Sequence, residues 1–143
     1  MKKEDIIQLF DSFNNMKVLI VGDAMIDAYM WGKIERQSPE AAVPIVEIEK
    51  HENRLGGAGN VARNIKSLGA TPVLCSVVGD DFRGKHLKQL LKEEALSTVG
   101  ILTEKSRKTT VKTRVISEDK HQLRIDEEDT FPIKVEQEFL ELV

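Results

Sequence analysis

The stretch that decides the fold is Leu55-Gly-Gly-Ala-Gly-Asn-Val-Ala-Arg-Asn-Ile-Lys-Ser-Leu-Gly69, in which three glycines run directly into a helical pattern. Val61, Ile65 and Leu68 recur at helical spacing, and Gly69 follows as a C-terminal cap. Glycines at 56, 57 and 59 let the backbone take conformations closed to other residues and let a ligand approach the main chain. The N–H groups of a helix start favour oxyanions and hydroxyl oxygens, so the stretch suits a polar ligand.

Outward from it, helix and strand patterns alternate, which predicts an α/β fold with helices on the faces of a parallel sheet. Ile6, Phe10 and Phe13 mark a first helix that ends at Asn14-Asn15. Met16-Lys-Val-Leu-Ile-Val-Gly22 is a short apolar run of the kind that forms a central strand buried on both faces. Thr71 to Val78 is the next strand, and Asp80-Asp81 caps a helix whose buried face is Leu87, Leu90 and Leu91.

Two stretches alternate with period two instead and predict a small separate sheet. Ala28 to Arg36 and Val43 to Lys50 flank a turn at Ser38-Pro39-Glu40, and Pro44 places its strand at an edge or a start. Thr109 to Ile116 and Gln122 to Asp126 flank Ser117-Glu-Asp-Lys-His121. In this second hairpin Val111, Thr113, Val115, Leu123 and Ile125 share one face, while Lys112, Arg114, Gln122, Arg124 and Asp126 share the other. A lid with its polar face over a ligand fits this pattern, and so does a solvated polar face over an ordinary core. The spacing of Val135, Phe139 and Leu142 predicts a final helix from Pro132 to Val143, and the absence of a closing cap is what a fragment of a longer chain would show.

Composition narrows the function. The chain has 143 residues, 41% hydrophobic and 31% charged, the balance of a soluble globular domain. Its 21 basic and 24 acidic residues are mixed along the chain, which excludes the basic stripe of a nucleic-acid binder. Cys75 is the one cysteine and lies inside the apolar run Val73-Leu-Cys-Ser-Val-Val78, as a buried structural thiol would in a reducing compartment. No long apolar segment is present, so we expect no membrane partner and a cytoplasmic location.

Gly57-Ala-Gly-Asn-Val-Ala62 formally satisfies the dinucleotide fingerprint, with Asp80 downstream. That fingerprint needs a buried strand leading into its first glycine, whereas the polar run Glu49-Lys-His-Glu-Asn-Arg54 intervenes. No phosphate-binding Walker sequence, His/Cys metal cluster or Gly-x-Ser-x-Gly elbow occurs, and no metal ligand is assigned. A second constellation, Val21-Gly-Asp-Ala-Met-Ile-Asp27, lies at the carboxyl end of the first strand, the edge where open α/β sheets bind ligands. A carboxylate accepts hydrogen bonds from two adjacent sugar hydroxyls, so Asp23 and Asp27 suit a polyol. Asp23 also fits a turn or helix cap, and Asp27 a solvated surface residue.

Together, Gly56-Gly-Ala-Gly-Asn-Val-Ala-Arg-Asn64, Val21-Gly-Asp23 and Val78-Gly-Asp-Asp81 resemble the amino-terminal half of the PfkB (ribokinase) family of sugar kinases. Asp23-Ala-Met-Ile-Asp-Ala-Tyr29, Arg36-Gln-Ser-Pro-Glu-Ala41, Val43-Pro-Ile-Val46, Lys112-Thr-Arg114 and Gln122-Leu-Arg124 resemble its heptose 7-phosphate kinase branch, with mild departures at Gln37 and Ala42. The resemblance implies a ribokinase-like parallel sheet flanked by helices, with a small β-sheet lid, incomplete in this chain. The core would comprise residues 1–27, 55–107 and 128–143, and the lid about 28–50 and 108–127.

It further implies transfer of phosphate from ATP, with Mg2+, to the anomeric hydroxyl of D-glycero-D-manno-heptose 7-phosphate, in ADP-heptose and lipopolysaccharide core synthesis. Asp23 would hold sugar hydroxyls, Gly56 and Gly57 would bring the backbone to the ring, and Asn60 would hydrogen-bond it, with Asp27 open between a ligand and a surface role. Lys112, Arg114 and Arg124 would be candidates for the 7-phosphate, with the arginines favoured as bidentate ligands. The homodimer of the family would form through the lid strands. The family's Asp-Thr-x-Gly-Ala-Gly-Asp stretch, which supplies the catalytic base and the anion hole, does not occur in these residues, and the catalytic residues are expected beyond Val143. The chain is therefore expected to bind sugar phosphate, to hold no ATP and to be inert alone. Another sugar kinase of the family and a non-catalytic sugar-phosphate binding module remain open.

Overall fold

The hydrophobic periodicities become eleven elements in the structure, a computed structural model that describes residues 2–142. Val143, where the expected core range and the expected final helix both end, lies outside the described residues, as does Met1 at the start of the core range. Helix α1, Lys3–Phe13, leads to strand β1, Lys17–Val21. Two 14-residue strands follow, β2 at Ala24–Gln37 and β3 at Pro44–Gly57. Helix α2, Ala58–Ser67, precedes β4, Thr71–Gly79, and helix α3, Phe82–Glu93, precedes β5, Ile101–Glu104. The hairpin β6, Val111–Ser117, and β7, Lys120–Glu127, ends the strands. Helix α4, Glu136–Leu142, begins four residues after Pro132, because the chain before it is drawn to the core by Lys134 N–H, which donates to Glu104. Among the described residues no helix is long and apolar enough to cross a membrane.

The first sheet is parallel, in the order β1-β4-β5. Leu74, Cys75 and Val78 of its central strand are buried and join Ile20, Ala62, Leu87, Leu91 and Ile101 in the core. The run Met16 to Gly22 does form a strand, but not a central one buried on both faces. Within the described residues β1 is the sheet edge, and Leu19 and Val21 are 47% and 53% exposed. An apolar run records what a strand tolerates, not which layers cover it. The buried face of α2 also differs from the expectation. Gly59, Ala62 and Ile65 face the sheet, because small side chains let the helix approach β4, while Val61 and Leu68 are exposed.

The second sheet has the order β3-β2-β6-β7. Both predicted hairpins are present, joined by a parallel β2–β6 pair from Ile26↔Val111 to Trp31↔Ile116. The first hairpin extends beyond its expected ends, down to Ala24↔Gly57. The polar run Glu49 to Arg54 is therefore strand, and its alternation fits a half-exposed antiparallel sheet. Such a strand is not the buried parallel strand of a dinucleotide fingerprint. The β6–β7 turn contracts to Glu118-Asp119, both at positive φ (51° and 57°), as a two-residue hairpin turn requires. Ile26, Leu55 and Val111, at the base of this sheet, complete the core.

Candidate functional site

Asp23 sits between β1 and β2, where its main chain is held on every side. Gly22 N–H donates to the Cys75 carbonyl at 3.2 Å and Ala24 N–H to the buried Ser76 hydroxyl at 2.9 Å. The Asp23 carbonyl accepts from Ala58 N–H at 2.8 Å. Asp23 is exposed, and among the described residues its carboxylate has no hydrogen bond or ion pair. A carboxylate so placed keeps all its acceptor sites for a ligand.

The glycines behind it serve the chain's own packing. A Cβ on Gly57, at φ 55°, would stand 2.2 Å from the Asp23 carbonyl oxygen, and one on Gly56 would meet Met25 at 2.8 Å and Asp27 at 3.0 Å. Close approach of β3 to the start of β2 thus requires both glycines without reference to a ligand. The first N–H of α2 is likewise spent on Asp23 rather than left for an oxyanion. In the first turn of that helix, half-buried Asn60 accepts from Arg63 Nη2 at 2.9 Å.

A cleft of about 380 Å³ opens at Asp23, lined also by Met25, Val77, Arg107, Lys108, Thr110 and the segment from Glu128 to Ile133. The stretch that carries Arg107, Lys108 and Thr110 into the cleft is locked from outside the lining by Asp81, the N-cap of α3. The Asp81 carboxylate accepts from Gly84 N–H at 2.7 Å, from Thr109 N–H at 2.8 Å and from the Thr109 hydroxyl at 2.9 Å. Thr109, 1% exposed, in turn accepts from Gly79 N–H at 2.9 Å. Burial pushes the Asp81 carboxyl up, and the hydrogen bonds from Thr109 and Gly84 together outweigh it, leaving the group below its ordinary value.

The far wall is strapped to the core. Lys108 N–H donates to Asp129 at 2.8 Å, Arg107 donates to the Phe131 carbonyl at 2.7 Å, and Lys134 N–H donates to buried Glu104 at 2.9 Å. The Ser106 hydroxyl and then Lys134 N–H hold the Glu104 carboxyl below the usual range.

Above the cleft rises the polar face of the second sheet. Met25, Asp27, Tyr29 and Trp31 of β2 lie on it by alternation, opposite Arg54, Glu52 and Lys50 on one side and Lys112 and Arg114 on the other. Tyr29 stacks on Trp31 at 5.4 Å, with the Arg54 and Arg114 guanidiniums 4.9 and 5.4 Å from the Tyr29 ring centre. Arg114 pairs with Asp27 at 2.5 Å. Lys112 reaches Asp126 at 3.0 Å and Glu128 at 2.9 Å, which raises its pKa, and Arg124 meets Asp126 at 2.9 Å. Arg54 and then Lys50 hold the Glu52 carboxyl down to about 2.

The eight residues singled out from sequence thus fall into two groups. Asp23 heads the cleft, with Gly56, Gly57 and Asn60 at the β3–α2 junction outside its lining, while Asp27, Lys112, Arg114 and Arg124 lie on the sheet face, each basic group among them paired with a carboxylate. Arg54, Tyr29 and Trp31 escaped the sequence reading although they share the parity of Asp27 across the hairpin. Arg107, Lys108 and Thr110 escaped it because the chain between β5 and β6 has no periodicity. The catalytic residues expected beyond Val143 lie outside the described residues.

A parallel sheet whose strand ends meet a cleft beneath a second, antiparallel-edged sheet is a ribokinase-like fold. Solved structures share it: a nucleoside kinase from Methanocaldococcus jannaschii, described as an archaeal member of the ribokinase family, aligns with a TM-score of 0.59 at 23% identity over 78% of this chain and 36% of its own. A carbohydrate kinase from Agrobacterium tumefaciens aligns with a TM-score of 0.57 at 24% identity, over 78% of this chain and 35% of its own. Residues 15–142 match the pfkB family carbohydrate kinases, and the chain belongs to that family.

Among curated relatives, the bifunctional protein HldE of Helicobacter pylori (strain P12) is 50% identical over 120 residues, 84% of this chain. HldE of Pelobacter propionicus is 41% identical over 138 residues, 96% of this chain. The chain spans 26% and 28% of the length of these two relatives.

Proposed function

We propose that this chain is the sugar-binding part of an ATP-dependent carbohydrate kinase that phosphorylates the anomeric hydroxyl of D-glycero-D-manno-heptose 7-phosphate. The observation that carries it is the Asp23 carboxylate, anchored through its main chain yet without an internal partner among the described residues, at the head of a cleft sized for one sugar. There it accepts hydrogen bonds from two neighbouring ring hydroxyls and fixes the orientation of the sugar. Asn60, in the first turn of α2, offers its amide to a further hydroxyl. The sheet above excludes water from the sugar. Membership in the carbohydrate kinase family and similarity to proteins named HldE support the substrate class.

ATP, with Mg2+, supplies the transferred group in such a kinase. The residues of this chain include no Asp-Thr-x-Gly-Ala-Gly-Asp stretch to hold it or to deprotonate the acceptor, so the chain binds the acceptor and leaves transfer to residues outside it. A homodimer formed through the second sheet, in the cytoplasm, belongs to the same proposal. Calorimetric titration of the chain with a panel of sugars and sugar phosphates tests it. Heptose 7-phosphate binds, and Asp23→Ala weakens that binding by about 1–3 kcal/mol because ligand hydroxyls lose their acceptor. Unchanged affinity removes Asp23 from the site, and a preference for an unphosphorylated sugar counts against the heptose phosphate. Turnover of ATP and heptose 7-phosphate by the chain alone refutes its inertness.

A further inference from the structure

The charges around the cleft are of two kinds. Lys112, Arg114 and Arg124 are each compensated by a carboxylate of the chain: Asp126 and Glu128 for Lys112, Asp27 for Arg114 and Asp126 for Arg124. A cation already paired adds little attraction for an incoming anion, and drawing it away strands its partner. Arg107 and Lys108 differ. Both line the cleft that Asp23 heads, and among the described residues neither side chain has a carboxylate partner. Arg107 gives one hydrogen bond to the Phe131 carbonyl and lies over the Phe131 ring, while its Nε is buried without any partner among the described residues.

The main chain beneath these two cations is rigid. Lys108 N–H is held by Asp129 and Thr109 N–H by Asp81, both at 2.8 Å, so the side chains project from a fixed ledge. One end of the cleft therefore presents an unpaired carboxylate suited to hydroxyls, and the wall presents two cations without an ion-pair contact among the described residues, beside Glu128, which is taken by Lys112, and Asp129, which is taken by Lys108 N–H.

We propose that Arg107 and Lys108 form the anion subsite of the cleft and take the phosphate monoester of the bound sugar phosphate, in place of Lys112, Arg114 and Arg124. It rests on the sugar-kinase assignment and specifies where the substrate's phosphate goes. Arg107 supplies planar donors and Lys108 a point charge, a combination that holds a dianion without displacing any existing ion pair.

The test is calorimetric titration of the chain with heptose 7-phosphate and with the unphosphorylated heptose. The unaltered chain prefers the phosphorylated sugar, and Lys108→Met lowers that preference about tenfold while leaving affinity for the unphosphorylated sugar in place. Arg107→Met acts in the same direction, Lys108→Arg restores the preference, and Lys85→Met, on the exposed side of α3, leaves it intact. Lys108→Arg guards against misfolding as the cause, since it keeps the charge on the same ledge. Full preference in Lys108→Met, or equal binding of the two sugars by the unaltered chain, overturns the subsite while the sugar site stands. Absence of binding to either sugar overturns both.

Discussion

Replacing Asp81 by alanine removes the lock that joins α3, β4 and the entry to β6. The carboxylate caps α3 through Gly84 N–H, and loss of an N-cap acceptor costs about 1 kcal/mol, with a range of roughly 0.5–2. It also satisfies Thr109 N–H at a position only 1% exposed, where water cannot substitute. A stranded buried donor costs about 1–3 kcal/mol, so the two losses together come to about 3 kcal/mol. Urea unfolding of the chain and of Asp81→Ala, followed by far-ultraviolet circular dichroism near pH 7, reads the difference directly.

The pH dependence gives a second check. The Asp81 carboxyl titrates below its ordinary 3.8 in the folded chain, so its contribution is complete above that value and lost as pH falls through the folded pKa. The gap between the two proteins is therefore constant from neutral pH to about 4 and closes below it. Asp81→Asn, which keeps one acceptor, falls between them. A gap under about 1 kcal/mol, or one that persists unchanged to about pH 2.5, refutes the assignment of Asp81 as the lock.

Other outcomes follow from local geometry. Gly57→Ala places a Cβ 2.2 Å from the Asp23 carbonyl at a backbone angle reserved for glycine, and we expect a loss of at least about 3 kcal/mol in the same unfolding assay. A loss below about 1 kcal/mol would show that β2 and β3 can separate there freely. Carbon-detected NMR titration should find the Glu52 carboxyl with a midpoint near 2, and Arg54→Gln should return it toward 4.5; a midpoint near 4.5 in the unaltered chain excludes the Arg54–Glu52–Lys50 arrangement. Changing Glu118 to Asn together with Asp119 to Gly places residues suited to positive φ in the β6–β7 turn, and a gain of about 0.5–1 kcal/mol in thermal unfolding is expected, with a loss contradicting the turn type.

Much of this architecture is written in periodicity. The 3.6-residue recurrence of Leu87 and Leu91 and the two-residue alternation of Val111, Thr113 and Val115 each identify an element and its buried face, because both are local. The exposure of β1 is not legible in that way, since Leu19 and Val21 read the same whether a neighbour covers them or not. Nor is the parallel pairing of β2 with β6, which joins Ile26 to Val111 across most of the chain. For the candidate site, the position of Asp23 at a strand end beside a cleft was readable. Lys108 was not: its position depends on Asp129 and on the contact of Thr109 with Asp81, 28 residues away, and a loop gives no pattern from which to infer such tethers.

The way the second sheet is attached has a mechanical consequence. Among the described residues the chain passes between the two sheets at three places: Asp23, Gly57-Ala58 and the stretch from Lys105 to Thr110. Two of these crossings line the cleft, and the third is bonded to Asp23 through Ala58. Any rocking of one sheet against the other would pivot on those crossings, so the pivots border the proposed site. A change in the angle between the sheets would therefore reshape the cleft directly, and an occupant of the cleft would press on the pivots themselves.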